Sequence, residues 1–143
     1  RVVATRSVAE GLASLLAYDP RAGGDANAEA MAEAARQVAW GEVTRAVRDA
    51  ASTPAGPVRE GDWLGLDHGK IAVVEGDLAA AACGLLERLV ADDHEVVTVI
   101  EGEAADPSVT AQVRDWLAEH RPGAGVEVHD GGQPLSAYLI SAE

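Results

Sequence analysis

The stretch Val96-Val97-Thr98-Val99-Ile100 constrains this chain most, because both of its alternating faces are apolar. A strand with one wet face alternates apolar with polar residues, whereas a strand without that alternation asks to be covered on both sides. Downstream, Pro107 fits the first turn of a helix that carries Val109, Val113, Trp116 and Leu117 on one side. Gly123 and Gly125 end that helix, and Val126-Glu127-Val128-His129 then alternates as a half-buried strand should. Strand, helix and strand with a short return make a βαβ unit, normally parallel.

The last strand pair closes the chain around a shaped loop. After Val126–Asp130 the backbone breaks at Gly131-Gly132, restarts after Pro134, and ends in the apolar run Leu135 to Ile140. Glycine allows backbone shapes closed to other residues, and proline fixes φ and removes a donor. The run Leu135–Ile140 is expected to lie antiparallel beside the βαβ unit. Gly131, Gly132, Gln133 and Pro134 form either a tight connection or a partner-facing loop.

Upstream, Val2-Val3-Ala4 reads as a short strand opening into Thr5-Arg6-Ser7. Ser7 with Glu10 three residues later is a capping box, followed by Val8, Leu12, Leu15 and Leu16 at helical spacing. Asp19-Pro20 and Gly23-Gly24 end this helix. Ala28, Met31, Ala35 and Val38 mark a second one, which is expected to stop near Trp40-Gly41. Val43–Asp49, Trp63–Leu66 and Lys70–Val74 then read as an antiparallel meander, its last turn at His68-Gly69. Asp77 is a good N-cap for a helix from Leu78 to Val90, with Leu78, Ala82, Leu85, Leu86 and Leu89 on its apolar face.

The expected fold class is therefore α/β, of the mixed α+β kind, in two small subdomains. Residues 1–76 supply helices and the antiparallel meander, and 77–143 supply a helix and a terminal βαββ unit. With no Phe and 3% aromatic residues in 143, the core must be aliphatic and rich in alanine. Each buried methylene-sized group contributes roughly 0.8 kcal/mol, so such a core depends on many small contacts.

A net charge of −13 excludes two function classes. A surface this acidic repels phosphate backbones and anionic lipid, so neither nucleic acid nor a membrane surface is an expected partner. No apolar run approaches the ~18 residues of a membrane span. The chain starts at Arg1 without a signal-peptide pattern, which leads us to expect a piece of a larger cytoplasmic protein, its first strand continuing from upstream.

No catalytic or metal constellation assembles from the remaining residues. Gly65 to Lys70 fails as a phosphate loop: its glycines are one residue too close, and Ile71 stands where a magnesium-binding hydroxyl belongs. His68, His94, His120 and His129 fit no ligand spacing, and Asp92-Asp93-His94 reads as solvated loop charge. Ser7, Ser108, Ser136 and Ser141 lack a nucleophile-elbow context. Cys83, alone in a helical run without basic neighbours, reads as a buried, inert thiol. Thr5, Arg6 and Ser7 are the exception: they open a helix after a strand, where free N–H groups attract anions. The simpler account of the same residues is that Ser7 only caps the helix and Arg6 is solvated.

Several motifs in order resemble one family. Thr5-Arg6-Ser7, Gly11-Leu12 and Leu15–Pro20 come first, then Gly41-Glu42-Val43-Thr44, Ala46–Asp49, Glu60-Gly61-Asp62 and Gly69-Lys70-Ile71. Gly131-Gly132-Gln133-Pro134-Leu135, Tyr138, Ile140-Ser141 and Glu143 close the series. Together they look like most of the C-terminal domain of the A subunit of bacterial fatty acid kinase, a family also described as dihydroxyacetone kinase-like (DAK2 or DhaL-domain) proteins. Glu10 stands where the family pattern has glutamine, and Ser136-Ala137 replace bulkier residues. The resemblance implies an N-terminal DhaL-like domain that binds ATP and magnesium, and a middle domain with further catalytic residues. It also implies that the C-terminal domain docks a separate DegV-like protein carrying the fatty acid. On that reading this chain is a non-catalytic module of an ATP-dependent kinase, without a cofactor of its own. The candidate contact residues are Thr5, Arg6, Ser7, Gly131, Gly132, Gln133 and Pro134. The alternatives are a small anionic-ligand domain and a structural domain that supports a homodimer of the parent protein.

Overall fold

Local signals place most elements of the computed structural model, which describes residues 1–143. Ser7 Oγ accepts the Glu10 N–H at 3.1 Å and starts helix α1 (Val8–Leu16), and α2 spans Gly24–Gln37. Asp77 accepts from the Ala80 N–H and caps α3 (Leu78–Leu89); Asp106 accepts from the Ser108 N–H and caps α4 (Pro107–His120), with the proline in the first turn. Side-chain acceptors at these positions satisfy N–H groups that have no partner within the helix.

Six strands alternate with these helices: β1 (Ala39–Arg45), β2 (Trp63–Asp67), β3 (Lys70–Glu75), β4 (Val96–Glu101), β5 (Gly125–Asp130) and β6 (Ser136–Ala142). They form one sheet in the order β3-β2-β1-β6-β4-β5. The mixed α+β class expected from the sequence holds. β1, β2 and β3 are the antiparallel meander, and its turn places His68 and Gly69 at φ 49° and 78°. β4, α4 and β5 are the parallel βαβ unit, in register from Val96–Gly125 to Glu101–Asp130.

Three expectations are corrected. β5 and β6 are not a strand pair: β4 lies between them, and β6 runs antiparallel to both β4 and β1. Val2-Val3-Ala4 forms no strand and makes no backbone hydrogen bond. The first strand begins at Ala39 rather than Val43, and Trp40-Gly41 lies within it. Gly41 serves close packing there instead of ending a helix. A Cβ on it would sit 2.5 Å from the Leu66 carbonyl oxygen and 2.7 Å from Leu89 Cδ1.

The two faces of the sheet are covered unequally. α3 and α4 cover one face over an aliphatic core that includes Val43, Leu85, Leu86, Val97, Val99 and Leu117, with Tyr138 fully buried among them. On the other face the 46–62 connection covers β2 and β3 through a small cluster of Ala46, Val58 and Leu64. The α1–α2 hairpin approaches the same face near β1, β6 and β4, and Trp40 Nε1 donates to Glu10 Oε1 at 2.9 Å across the gap. Coverage of β4 on this side is therefore partial, unlike the two-sided burial its composition suggests. Val97 and Val99 are buried, whereas Val96, Thr98 and Ile100 remain half-exposed.

The connections at the carboxyl end of β4 interlock. A Cβ on Gly102 would lie 1.9 Å from the Ser136 carbonyl oxygen and 2.6 Å from that of Gln133, both backbone atoms with nowhere to go. Gly102→Ala is expected to lower unfolding stability by about 2–3 kcal/mol in urea titration. Gly123→Ala, where nothing lies within 4 Å of the added atom, is expected to change it by less than about 0.5 kcal/mol.

Candidate functional site

Two places gather the residues singled out by sequence, and they adjoin at Ile100. The first is a groove of about 620 Å³ between the start of α1 and the open sheet face, lined by Thr5, Arg6, Ser7, Trp40, Glu42 and Ile100 among others. The second is the β5–β6 connection, where the Gln133 amide donates to the Ile100 carbonyl at 3.1 Å. The side chain of Ile100 thus floors the groove while its backbone holds the loop.

Beside the groove, Glu10 fastens the start of α1 to β1. Its Oε2 accepts the Arg6 backbone N–H and its Oε1 accepts the Trp40 indole, while its own N–H goes to Ser7. The capping box read from sequence is therefore real but displaced by one residue, since the carboxylate takes the N–H of Arg6 rather than that of Ser7. An acidic side chain is favourable at a helix N-terminus, so this carboxylate already provides the negative charge that a bound anion would bring. Arg6 itself is exposed.

The loop owes its shape to backbone hydrogen bonds. Gly131 and Gly132 both donate to the Glu101 carbonyl, at 2.8 and 3.0 Å, and the Gln133 carbonyl accepts from Glu103 at 3.0 Å. Gln133 is half-buried and tied to the sheet, while Gly131, Gly132 and Pro134 face solvent. Leu135, which follows, is 82% exposed although its carbonyl accepts from Thr44 Oγ1 at 2.7 Å. In the sequence Leu135 reads as the start of the apolar run to Ile140, whereas β6 starts one residue later, at Ser136. The position of Leu135 directly after a proline, outside the strand proper, was the available signal.

Beneath this loop lies a polar network. Tyr138 Oη donates to the Asp106 carbonyl at 3.1 Å, accepts the Asp106 N–H at 3.3 Å, and sits 3.0 Å from Thr110 Oγ1, which also contacts Glu101. Burial raises the Tyr138 phenol above its usual value, against the lowering effect of Thr110 and Asp106. The network ties α4 to β6, and every buried side-chain polar atom in the chain has a partner. Cys83 is half-buried, and its thiol is pushed up by burial and then by Asp77, consistent with an unreactive group. No three His, Cys, Asp or Glu side chains converge as a metal site would need. His94 accepts from the Ala91 N–H, and His120 contacts the Trp116 carbonyl with its ring stacked on the indole. No helix is long and apolar enough to cross a membrane.

Fold and surface together describe an α+β domain with a hydrogen-bonded loop across the end of β4 and an incompletely covered sheet face beside α1. The chain belongs to the FakA-like C-terminal family, the C-terminal domains of proteins like the A subunit of fatty acid kinase, which it matches over residues 1–143. It is similar to uncharacterised proteins of Staphylococcus epidermidis and Staphylococcus haemolyticus, each 34% identical over 142 residues. A Staphylococcus aureus relative, also uncharacterised, is 35% identical over the same length. In each case the match covers 99% of this chain and 26% of the relative, so the chain spans about a quarter of their length.

Two outcomes follow from the geometry. Glu10→Ala is expected to destabilise the fold by about 1 kcal/mol through loss of the acceptor for the Arg6 N–H and the Trp40 indole, and to alter the near-ultraviolet signal of Trp40. The second concerns pH. Tyr138 and Cys83 both have raised values when folded, so the stability they contribute is complete below their unfolded values and is lost as pH climbs past them. Denaturant midpoints should fall from about pH 9 upward. Tyr138→Phe should flatten the phenolic part of that fall, while leaving the Cys83 part and lowering stability at pH 7 by about 1–2 kcal/mol.

Proposed function

We propose that this domain is the docking module of a fatty acid kinase, holding a DegV-like fatty-acid-binding partner while other domains phosphorylate the bound acyl chain. The match of the whole chain to the FakA-like C-terminal family carries this reading. In the parent protein a DhaL-like domain supplies ATP and magnesium binding, and the present domain contributes recognition, working in the cytoplasm.

The loop Gly131–Pro134 and the exposed Leu135 are the surface we assign to the partner. A docking surface gains most from an apolar side chain held on rigid backbone, because little conformational freedom is lost on binding. Leu135 meets both conditions: the loop before it is fixed by hydrogen bonds from Gly131 and Gly132, and its own carbonyl is fixed by Thr44. Val47, 85% exposed, follows β1 at the same end of the sheet. The other reading, an anion held by Thr5, Arg6 and Ser7, is disfavoured by the Glu10 carboxylate already at that helix terminus.

Titration of the full-length protein with its DegV-like partner by calorimetry tests this reading. A saturable complex is expected, and Leu135→Asp should weaken it at least tenfold, about 1.4 kcal/mol, without changing the melting temperature. Absence of binding at partner concentrations on the order of 100 μM would overturn the docking role. Unchanged affinity in Leu135→Asp would overturn the assigned surface.

A further inference from the structure

Helix α1 presents its apolar residues to solvent. Val8, Leu12, Leu15 and Leu16 recur at the spacing of one helical stripe, yet they are 56%, 47%, 66% and 78% exposed. The residues of α1 that are buried are Ala13 and Ser14, the latter donating to the Met31 carbonyl of α2 at 3.0 Å. A stripe of large apolar side chains is the part of an amphipathic helix that normally faces a core. In α1 it is unpartnered.

The sheet beside it is unfinished in the same place. Grooves of about 620 and 580 Å³ flank α1, and both reach Leu12 and Ile100. Leu15 and Leu16 border the second, whose rim carries Glu127, His129 and Glu143. Contiguous apolar surface with a polar rim marks a covered interface.

Three observations identify what covers it. The family is defined as C-terminal, and its curated relatives are about four times longer than the matched region, so in them most of the polypeptide precedes this domain. The segment Arg1–Ser7 leads into α1 and adopts no regular structure. Seven extended residues reach at most about 25 Å, and α1 is itself only about 14 Å long, so any preceding polypeptide must enter close to the exposed stripe. Finally, Val2 is a further large apolar side chain left open on that entering segment, 94% exposed. A segment tethered so closely has an effective concentration on the order of millimolar, which makes even a modest apolar contact persistent.

We infer that the stripe Val8, Leu12, Leu15 and Leu16, with the grooves beside it, is the seat of the polypeptide immediately N-terminal to this domain. α1 is thus an internal joint of the longer protein and not a surface for a second molecule. This inference rests on family membership and the exposed stripe, and is independent of the docking role proposed for Leu135.

Thiol labelling in the full-length native chain tests it. Leu15→Cys and Leu16→Cys are placed separately, with Glu29→Cys on the exposed side of α2 as reference, each in a Cys83→Ala background. Rates are read peptide by peptide by mass spectrometry and normalised to the same sites in denaturant. Leu15→Cys and Leu16→Cys should label at least tenfold more slowly than Glu29→Cys. Rates within twofold of the reference would overturn the inference. So would protection that grows with protein concentration, which would mean a second copy covers the stripe, or protection that appears only when the DegV-like partner is added. Hydrogen exchange of the unmodified chain gives a second reading should a cysteine variant misfold. Amides of Val8–Leu16 as protected as those of β4 support the inference, and exchange at the rate of a solvent-exposed helix overturns it.

Discussion

The pairing of β1 with β6 is the contact on which the rest of this structure depends. Ala39 lies opposite Ala142 and Thr44 opposite Ser136, so residues roughly a hundred positions apart are held side by side. This seam joins the meander of β1, β2 and β3 to the βαβ unit of β4 and β5, and turns two partial sheets into one. The aliphatic core under α3 and α4 is continuous only because of it. Val43 on β1, Tyr138 and Ile140 on β6, and Val97 and Val99 on β4 belong to a single buried cluster.

The same seam explains the groove and the loop. β6 has to reach its slot between β1 and β4 from the far edge strand β5, so the connection at Gly131–Leu135 passes across the end of β4. It is fastened there through Glu101 and Ile100. An acidic, aromatic-poor chain achieves this with close backbone approach in place of large side chains, as at Gly102 and Gly41. Rigidity at the loop and incompleteness beside α1 are opposite answers to one question, namely how much of a surface the domain itself satisfies.

What could be read from sequence was what is encoded locally. Caps at Ser7 and Asp77, the turn at His68-Gly69, the proline opening α4 and the helical stripe of α3 all lie within a few residues of the elements they define, and each sits where its chemistry indicates. Strand order is different. Nothing near Ser136–Ala142 states that β4 rather than β5 will be its neighbour, since that choice is made by backbone pairing across the whole chain. The stripe on α1 was equally legible, but periodicity reports that a face wants cover, not whether this stretch of polypeptide provides it. Likewise Gln133 carried no local sign that its amide would be spent on Ile100, and Trp40-Gly41 looked like a helix end because glycine serves stops and close contacts alike.

The position of β6 also dictates an order of events. It is the last strand along the chain and yet it sits among the interior strands, flanked on both sides. During synthesis the meander and the βαβ unit can each gather local contacts, but neither can acquire its inner neighbour until β6 has emerged. Sheets closed by such distant pairing form slowly, and their open edges are exposed meanwhile. For this domain the vulnerable interval is therefore the one before β6 emerges, when two half-sheets wait with unpaired edges for the strand that fits between them.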